Sequence, residues 1–229
     1  MQRSANLTGM KLAALVMAVL VAAALGLAGC SSNSSTAGSS SSSSEATAAE
    51  GIGTHHAVIE VEGYAPVTVE LDGDAAPTSV QNFMDLAQNG YYDGKTFYRI
   101  VDDFCLQGGT EGNSASGNDP DLTPIKGEFS SNGVDNPLAD AFDRGVVAMA
   151  RTSNPDSATS TFFVTLGDAA QVGASLDGQY AAFGTIDEEG MKVIDQIVAD
   201  HLSNVDEPNM GAITVEANQP VIRSITITD

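Results

Sequence analysis

Basic residues are scarce in this chain of 229 residues, in which 9 Lys and Arg stand against 30 Asp and Glu. Two of the nine, Arg3 and Lys11, precede an N-terminal apolar run, and every acidic residue follows it. Binding of nucleic acid depends on clustered Lys and Arg, which attract the phosphate backbone. The charge balance therefore excludes nucleic acid as a partner and predicts a strongly acidic, soluble surface.

Cysteine and tryptophan are equally sparse, since the chain has two cysteines, Cys30 and Cys105, and no tryptophan. If Cys30 is modified, Cys105 has no partner and the folded part contains no internal disulfide. Asp72-Gly73-Asp74 could begin a calcium loop, but no downstream Gly and Glu at the required spacing completes it. The adjacent His55 and His56 are more simply solvated than metal ligands. The sequence thus predicts neither a metal nor another cofactor.

Hydrolase motifs are also missing. No Gly-x-Ser-x-Gly elbow occurs, and the serines are concentrated before residue 45. His201 is the only histidine after His56, and it follows a segment with the pattern of a structural helix. Without a candidate triad, a hydrolase remains the weakest alternative.

The N-terminus carries one long apolar run, the 18 residues Leu12–Gly29, which is near the lower limit for a membrane span. Two basic residues precede it, it is rich in Ala, and small residues end it, a combination typical of a secretory signal. Its end, Leu27-Ala28-Gly29-Cys30, resembles the bacterial lipoprotein signal. The resemblance implies cleavage before Cys30 and lipidation of its thiol, which would anchor the protein to the membrane. An uncleaved anchor helix is the alternative, and it gives the same extracytoplasmic location.

Composition divides the chain into three predicted segments. Residues 1–29 form the signal peptide, residues 30–54 the lipidated cysteine and a tether, and residues 55–229 one folded domain. The tether is nearly all Ser, Ala, Thr and Gly, with six consecutive serines at Ser39–Ser44, and it lacks apolar periodicity. A flexible chain of about 20 residues has a mean reach of roughly 25 Å, so the tether holds the domain near the membrane.

The domain shows many short strand patterns and two helix patterns. Strands are predicted over residues 57–62, 67–71, 97–101, 104–106, 145–150, 161–166, 180–186 and 221–228. One helix is predicted from Pro77, with Thr78 or Ser79 as its cap and an apolar stripe along one face, and a second over residues 191–199. Such a succession favours a closed antiparallel barrel capped by two helices.

The most informative stretch is the segment Phe97-Tyr98-Arg99-Ile100-Val101-Asp102-Asp103-Phe104-Cys105-Leu106-Gln107-Gly108-Gly109. Its apolar halves flank an Asp-Asp turn signal, which predicts a hairpin. The predicted hairpin would carry a guanidinium, a phenyl ring and a primary amide, from Arg99, Phe104 and Gln107. Periodicity alone favours a half-buried hairpin whose arginine points into water.

The sequence of this segment closely resembles the signature of the cyclophilin-type peptidyl-prolyl cis-trans isomerases. Further motifs similar to those of the family follow in the same order, among them Glu128-Phe129, Met149-Ala150, Phe162-Phe163, Leu176-Asp177-Gly178 and Phe183-Gly184. The resemblance covers roughly residues 57–229. It implies a mostly β fold, a closed eight-stranded antiparallel barrel with two capping helices. It also implies a folding catalyst that accelerates rotation of X-Pro bonds in extracytoplasmic proteins, without a cofactor.

The resemblance also assigns the site. Arg99 would be the catalytic donor, and Phe104, Cys105, Phe163 and Leu176 would form the proline pocket. Gln107, together with the backbone around Ala150 and Arg151, would hold the substrate chain, and Tyr180 would pack on the proline. Partners would be Pro-containing segments of secreted or surface proteins. A cyclophilin fold that grips such segments without turnover remains the alternative.

Three positions depart from the family's pattern. Cys105 stands where Met is usual, which shortens the pocket wall, and Thr161 replaces a Gln that binds substrate backbone, which implies lower affinity. Ser175 stands where human cytosolic relatives carry a Trp that contacts cyclosporin. At most weak cyclosporin binding is therefore expected.

Overall fold

The structure is a computed structural model that describes residues 50–115 and 119–229. The predicted signal peptide, Cys30 and nearly all of the tether lie outside the described residues. Within the described residues, no helix is long and apolar enough to cross a membrane.

In the part of the chain that the structure describes, eight strands form one antiparallel sheet. Their bounds are β1 Thr54–Val61, β2 Val67–Asp72, β3 Phe97–Val101, β4 Cys105–Gly108, β5 Val146–Met149, β6 Phe162–Thr165, β7 Ala182–Thr185 and β8 Ile222–Ile227. Their order in the sheet is β3-β4-β6-β5-β7-β2-β1-β8. Alternation of apolar and polar residues sets which face is buried, as in β2, where Val67, Val69 and Leu71 point inward. The eight predicted strands are all present, several with ends shifted by a few residues.

The predicted closure of the barrel is wrong. Strands β3 and β8 are the two edges of the sheet, and among the described residues they do not pair with each other. The residues just before them, Thr96 and Val221, form an isolated bridge. Beyond that bridge, the loop around Gly211 occupies the outer edge of β3. The Ile100 amide donates to the Gly211 carbonyl (2.9 Å), and the Ile213 amide donates to the Tyr98 carbonyl (2.8 Å). The loop thus satisfies backbone groups that β8 would pair with in a closed barrel.

Residues 50–115 and 119–229 contain three α-helices rather than the two predicted. They are α1 Pro77–Gln88, α2 Ala169–Leu176 and α3 Glu188–His201. The additional helix, α2, is only eight residues long and contains Gly173, which explains its weak sequence signal. Its start is nevertheless encoded locally, because Asp168 and Gln171 form a reciprocal capping box.

The N-terminus of α1 is capped differently from the prediction. The helix begins after Ala76, and neither Thr78 nor Ser79 caps it. Instead, the buried carboxylate of Glu128 accepts hydrogen bonds from the Thr78 amide (2.9 Å), the Ser79 amide (2.8 Å) and the Ser79 hydroxyl (2.7 Å). A residue from a distant loop therefore satisfies the helix terminus.

The predicted apolar stripe of α1 is confirmed, since Val80, Phe83, Met84 and Ala87 are all buried. Phe83 is its centre and contacts three aromatic rings, those of Tyr92, Phe162 and Phe183, at centroid distances of 5.3, 5.5 and 5.1 Å. Phe162 belongs to β6, whose next residue, Phe163, faces the candidate site. The aromatic core thereby fixes the strand that carries part of the site.

Candidate active site

The β3–β4 hairpin sets Arg99 directly opposite Gln107 in the strand register. The turn between them contains Asp103 in the left-handed conformation, with φ of 55°, and the Phe104 amide donates to the Val101 carbonyl at 3.0 Å. Because opposed residues of paired strands project to the same face, the two side chains meet. Nη1 of Arg99 donates to Oε1 of Gln107 at 2.9 Å.

The guanidinium of Arg99 is held by protein groups at two of its nitrogens. Nε donates to the carbonyl of Met210 at 2.8 Å, and Nη1 also lies 3.2 Å from Sγ of Cys105. The side chain is half-buried. Among the described residues, Nη2 donates no hydrogen bond, so its two N–H groups are free. The alternative in which this arginine simply points into water does not describe its environment.

Gln107 connects Arg99 to Tyr98. Its Nε2 donates to the Tyr98 hydroxyl at 2.6 Å, which assigns its Oε1 to the arginine. Burial raises the pKa of Tyr98, against the opposing effect of the hydrogen bond from Gln107. The tyrosine therefore stays neutral at physiological pH and fixes the amide. Sequence reasoning assigned no role to Tyr98 or Met210, and only the position of Tyr98 in the hairpin motif offered a signal.

A cavity of about 220 Å³ opens beside the guanidinium. It is lined by Arg99, Phe104, Cys105, Gln107, Ala150, Arg151, Phe163, Leu176 and Tyr180. These are nine of the ten catalytic and substrate-binding residues predicted from the sequence. Its inner wall is apolar, since Cys105, Phe163 and Leu176 are each less than 5% exposed. The rings of Phe163 and Tyr180 meet edge to face at 5.6 Å, which fixes their orientation.

The tenth predicted residue, Thr161, does not line this cavity. It lines a larger adjoining one of about 440 Å³. Both cavities are lined by Gln107, Ala150 and Arg151, which therefore form the boundary between them. A polypeptide that fills both would cross these three residues.

Cys105 contributes an apolar surface rather than a reactive thiol. It is 1% exposed, and burial raises its pKa to about 11, although the neighbouring Arg99 opposes this shift. The thiol is therefore neutral at pH 7 and weakly nucleophilic. Cys105 has no disulfide partner among the described residues.

The acidic turn that resembled the start of a calcium loop is a structural turn. Oδ1 of Asp72 accepts from the amides of Asp74 (3.2 Å) and Ala75 (2.9 Å), and Asp74 accepts from the Gly53 amide (3.0 Å). In the part of the chain that the structure describes, no cluster of three or more His, Cys, Asp or Glu could hold a metal ion.

The geometry suits a reaction that needs neither nucleophile nor metal. A peptide bond resists rotation by about 18–20 kcal/mol because the nitrogen lone pair is delocalised into the carbonyl. In the twisted state the lone pair is localised on nitrogen and accepts a hydrogen bond better than in the planar state. A fixed guanidinium beside an apolar cavity can favour that twisted state selectively, which is the requirement for catalysis.

Comparison with known proteins agrees with this chemistry. The family model for cyclophilin type peptidyl-prolyl cis-trans isomerase/CLD matches residues 56–223. The chain belongs to the cyclophilin family. A peptidyl-prolyl cis-trans isomerase of Acinetobacter baylyi is 40% identical over 157 residues, covering 68% of this chain and 76% of the relative. Peptidyl-prolyl cis-trans isomerase B of Escherichia coli is 32% identical over 178 residues, covering 72% and 96% respectively.

Solved cyclophilin structures share the fold. A cyclophilin type isomerase of Cryptosporidium parvum superposes with a TM-score of 0.62 at 22% identity, covering 77% of this chain and 98% of that one. A second structure of that protein, obtained in the presence of the dipeptide Ala-Pro, gives a TM-score of 0.59. The fold is thus the mostly β cyclophilin fold, and the enzyme class is that of the family, a peptidyl-prolyl cis-trans isomerase.

Proposed function

We propose that the 220 Å³ cavity binds the proline ring and that Arg99 is the catalytic donor. The observation that carries this proposal is the fixed guanidinium of Arg99, held by Met210 and Gln107 at the edge of an apolar cavity. The ring would lie against Phe104, Phe163 and Leu176 and would displace water from this apolar wall. A donor on Arg99 would then face the prolyl nitrogen as its lone pair develops.

The substrate chain would run across the boundary between the two cavities. The Ala150 amide donates to the Thr161 carbonyl at 2.9 Å, so Ala150 can offer a substrate its carbonyl but not its N–H. Thr161 has a shorter side chain than the family's usual Gln and would leave the larger cavity wider at this point. Cys105 would likewise leave the proline pocket deeper than Met does.

Mapping of a bound peptide tests this assignment directly. A short Ala-Pro peptide titrated into ¹⁵N-labelled protein should shift the amide signals of Gln107, Arg151 and Phe163. The amides of α3, which lines neither cavity, serve as the control. Shifts confined to another surface would contradict the proposed site.

We also propose that the enzyme acts outside the cytoplasm, anchored to the bacterial cell membrane as a lipoprotein through Cys30. Its clients would be Pro-containing segments of secreted or surface proteins. Support comes from the sequence alone, in the Leu27-Ala28-Gly29-Cys30 signal and the Ser-rich segment after it. A single acyl chain binds membranes weakly and reversibly, whereas two or more anchor stably.

Replacing Cys30 with Ser is expected to abolish lipidation, because a hydroxyl cannot form the thioether. The wild-type protein should fractionate with membranes and carry a lipid mass on its N-terminal cysteine in mass spectrometry. Cys105→Ser is the matched control and should stay lipidated. An unmodified Cys30 in the mature wild-type protein would contradict the proposal.

Cyclosporin should bind this protein weakly, and Ser175→Trp should strengthen binding. Ser175 is exposed on α2, next to Leu176 of the cavity wall. An indole there would add apolar contact area and an N–H donor. Calorimetry should find a gain of about tenfold, in line with roughly 1.5 kcal/mol for one added aromatic contact. Ala174→Trp, which adds the same group at a neighbouring exposed position, should give no gain, and equal affinity of Ser175→Trp and wild type would refute the prediction.

A further inference from the structure

The side chain of Arg151 is fixed at the boundary between the two cavities. Its guanidinium lies over the rings of Phe129 and Tyr180, with its central carbon 5.1 and 4.8 Å from their centroids. Nε donates to the Gln179 carbonyl and Nη1 to the Thr152 carbonyl, both at 2.8 Å. Two ring contacts and two hydrogen bonds hold the plane of the guanidinium. In the part of the chain that the structure describes, Nη2 makes no hydrogen bond and is available to a ligand.

Arg151 has no anionic partner among the described residues, although the domain is rich in carboxylates. Seven of the nine basic residues follow Cys30, together with all 30 acidic residues. Four of the seven form ion pairs, namely Lys95 with Glu111, Arg144 with Asp195, Lys192 with Glu189 and Arg223 with Glu60. Within residues 50–115 and 119–229, the other three, Lys126, Arg99 and Arg151, have no carboxylate within 4.0 Å, and Lys126 lines neither cavity. Both unpaired arginines line the proposed substrate groove.

Among the described residues, Asp119 is the one acidic residue that lines these cavities, and it is not free to pair with either arginine. It is 7% exposed. Its carboxylate accepts hydrogen bonds from Tyr91, from the Glu111 amide (2.9 Å), from Ser160 (2.6 Å) and from Thr110 (3.1 Å). Burial opposes its ionisation, but these donors together lower its pKa, so the charge is present and already fully hydrogen-bonded. The groove therefore keeps a net positive character inside an acidic protein.

We propose that Arg151 is a specificity-determining residue that selects an acidic side chain, Asp or Glu, within two residues of the proline. The inference rests on the proposed substrate groove. A carboxylate beside Nη2 would gain a charge-assisted hydrogen bond, whereas the neutral amide of the same shape would gain a weaker one. Because the guanidinium is already fixed, little side-chain entropy is lost on binding.

Paired peptides test the proposal. Each pair carries Glu or Gln at one of the two positions before or the two positions after a single proline, in an otherwise identical sequence of Ala and Phe. Binding and isomerisation are measured by NMR at about 0.15 M salt with the full chain in detergent, for wild type, Arg151→Gln, Arg151→Lys and Arg223→Gln. Arg223 is the matched control, since it lies on β8 and lines neither cavity.

For at least one position, wild type should bind the Glu peptide about three to ten times more tightly than its Gln partner, the range between exposed and charge-assisted pairs. Arg151→Gln should bring this ratio to about one, Arg151→Lys should keep part of it, and Arg223→Gln should keep all of it. Because the readout is the ratio of the two peptide affinities for the same variant, a general loss of affinity in Arg151→Gln does not change it. Equal affinities at all four positions in wild type, or an unchanged ratio in Arg151→Gln, would overturn the inference. If the Gln peptides are isomerised but the Glu and Gln peptides bind equally well, only the selectivity of Arg151 is refuted. If no peptide binds or is isomerised, the proposed substrate groove is refuted as well.

Discussion

Arg99→Ala is expected to lower kcat/KM for X-Pro isomerisation by a factor of about 10²–10³. Loss of one preorganised donor to a transition state costs roughly 2.7–4 kcal/mol in enzymes. Nε and Nη1 of Arg99 are already engaged with Met210 and Gln107, so the donor is oriented before substrate binds. The rate would be measured by NMR exchange on an Ala-Pro peptide.

Two variants make this result specific. Arg99→Lys keeps the charge but loses the planar fork, so it should retain more activity than Ala and less than wild type. Arg223→Ala removes an exposed cation from β8 and should leave the rate unchanged. Peptide affinity should fall less than the rate, because the interaction is strongest in the twisted state. A folded Arg99→Ala enzyme with the wild-type rate would show that Arg99 is not the donor, and would favour a structural role for the hairpin.

Glu128→Ala is expected to lower the free energy of unfolding by about 2–4 kcal/mol, the second large effect. The buried carboxylate accepts hydrogen bonds from the amides of Thr78 and Ser79, at the positive end of α1. Without it, these donors lose their partner in a region of low exposure, at about 1–3 kcal/mol for each buried group left unsatisfied. Urea denaturation followed by circular dichroism measures the change.

Substitutions of matched size define the origin of that loss. Glu128→Gln keeps an acceptor but not the charge, so its loss should be about half as large. Glu189→Ala removes a glutamate of which 80% of the side chain is exposed, and should change stability by less than about 0.5 kcal/mol. Equal stabilities of Glu128→Ala and Glu189→Ala would contradict a capping role for Glu128.

The local parts of the fold could be predicted from the sequence. The bounds of β3, Phe97–Val101, agree with the prediction, because aromatic and β-branched residues end at an Asp-Asp turn. Strands β5 and β6 agree with the prediction to within one residue at each end. Strand β5 is an unbroken apolar run, and β6 begins with two phenylalanines and a β-branched valine. The residues of the 220 Å³ cavity were named in advance by the family resemblance, whereas periodicity alone gave only a hairpin.

Contacts between distant segments could not be predicted. Glu128 caps a helix 50 residues before it, and the Met210 carbonyl that holds Arg99 is 111 residues away along the chain. Backbone carbonyls carry no side-chain signature, and nothing in the local pattern marks a glutamate as a remote cap. The prediction of a closed barrel was wrong for the same reason. The loop that occupies the edge of β3 depends on Gly211. Its φ of +84° lies in the left-handed region that favours glycine. A Cβ added at this position would lie 2.2 Å from the Ile100 carbonyl oxygen, so there is no room for a side chain.

The most direct test of the central claim is the rate of cis-trans exchange in an Ala-Pro peptide with and without the wild-type protein. Exchange spectroscopy by NMR detects both isomers without a coupled protease. Uncatalysed exchange takes tens to hundreds of seconds at 25 °C. We expect exchange within the sub-second window of the experiment at catalytic protein concentrations. Exchange at the uncatalysed rate, in the presence of folded protein that binds the peptide, would mean that this cyclophilin fold holds proline without turning it over.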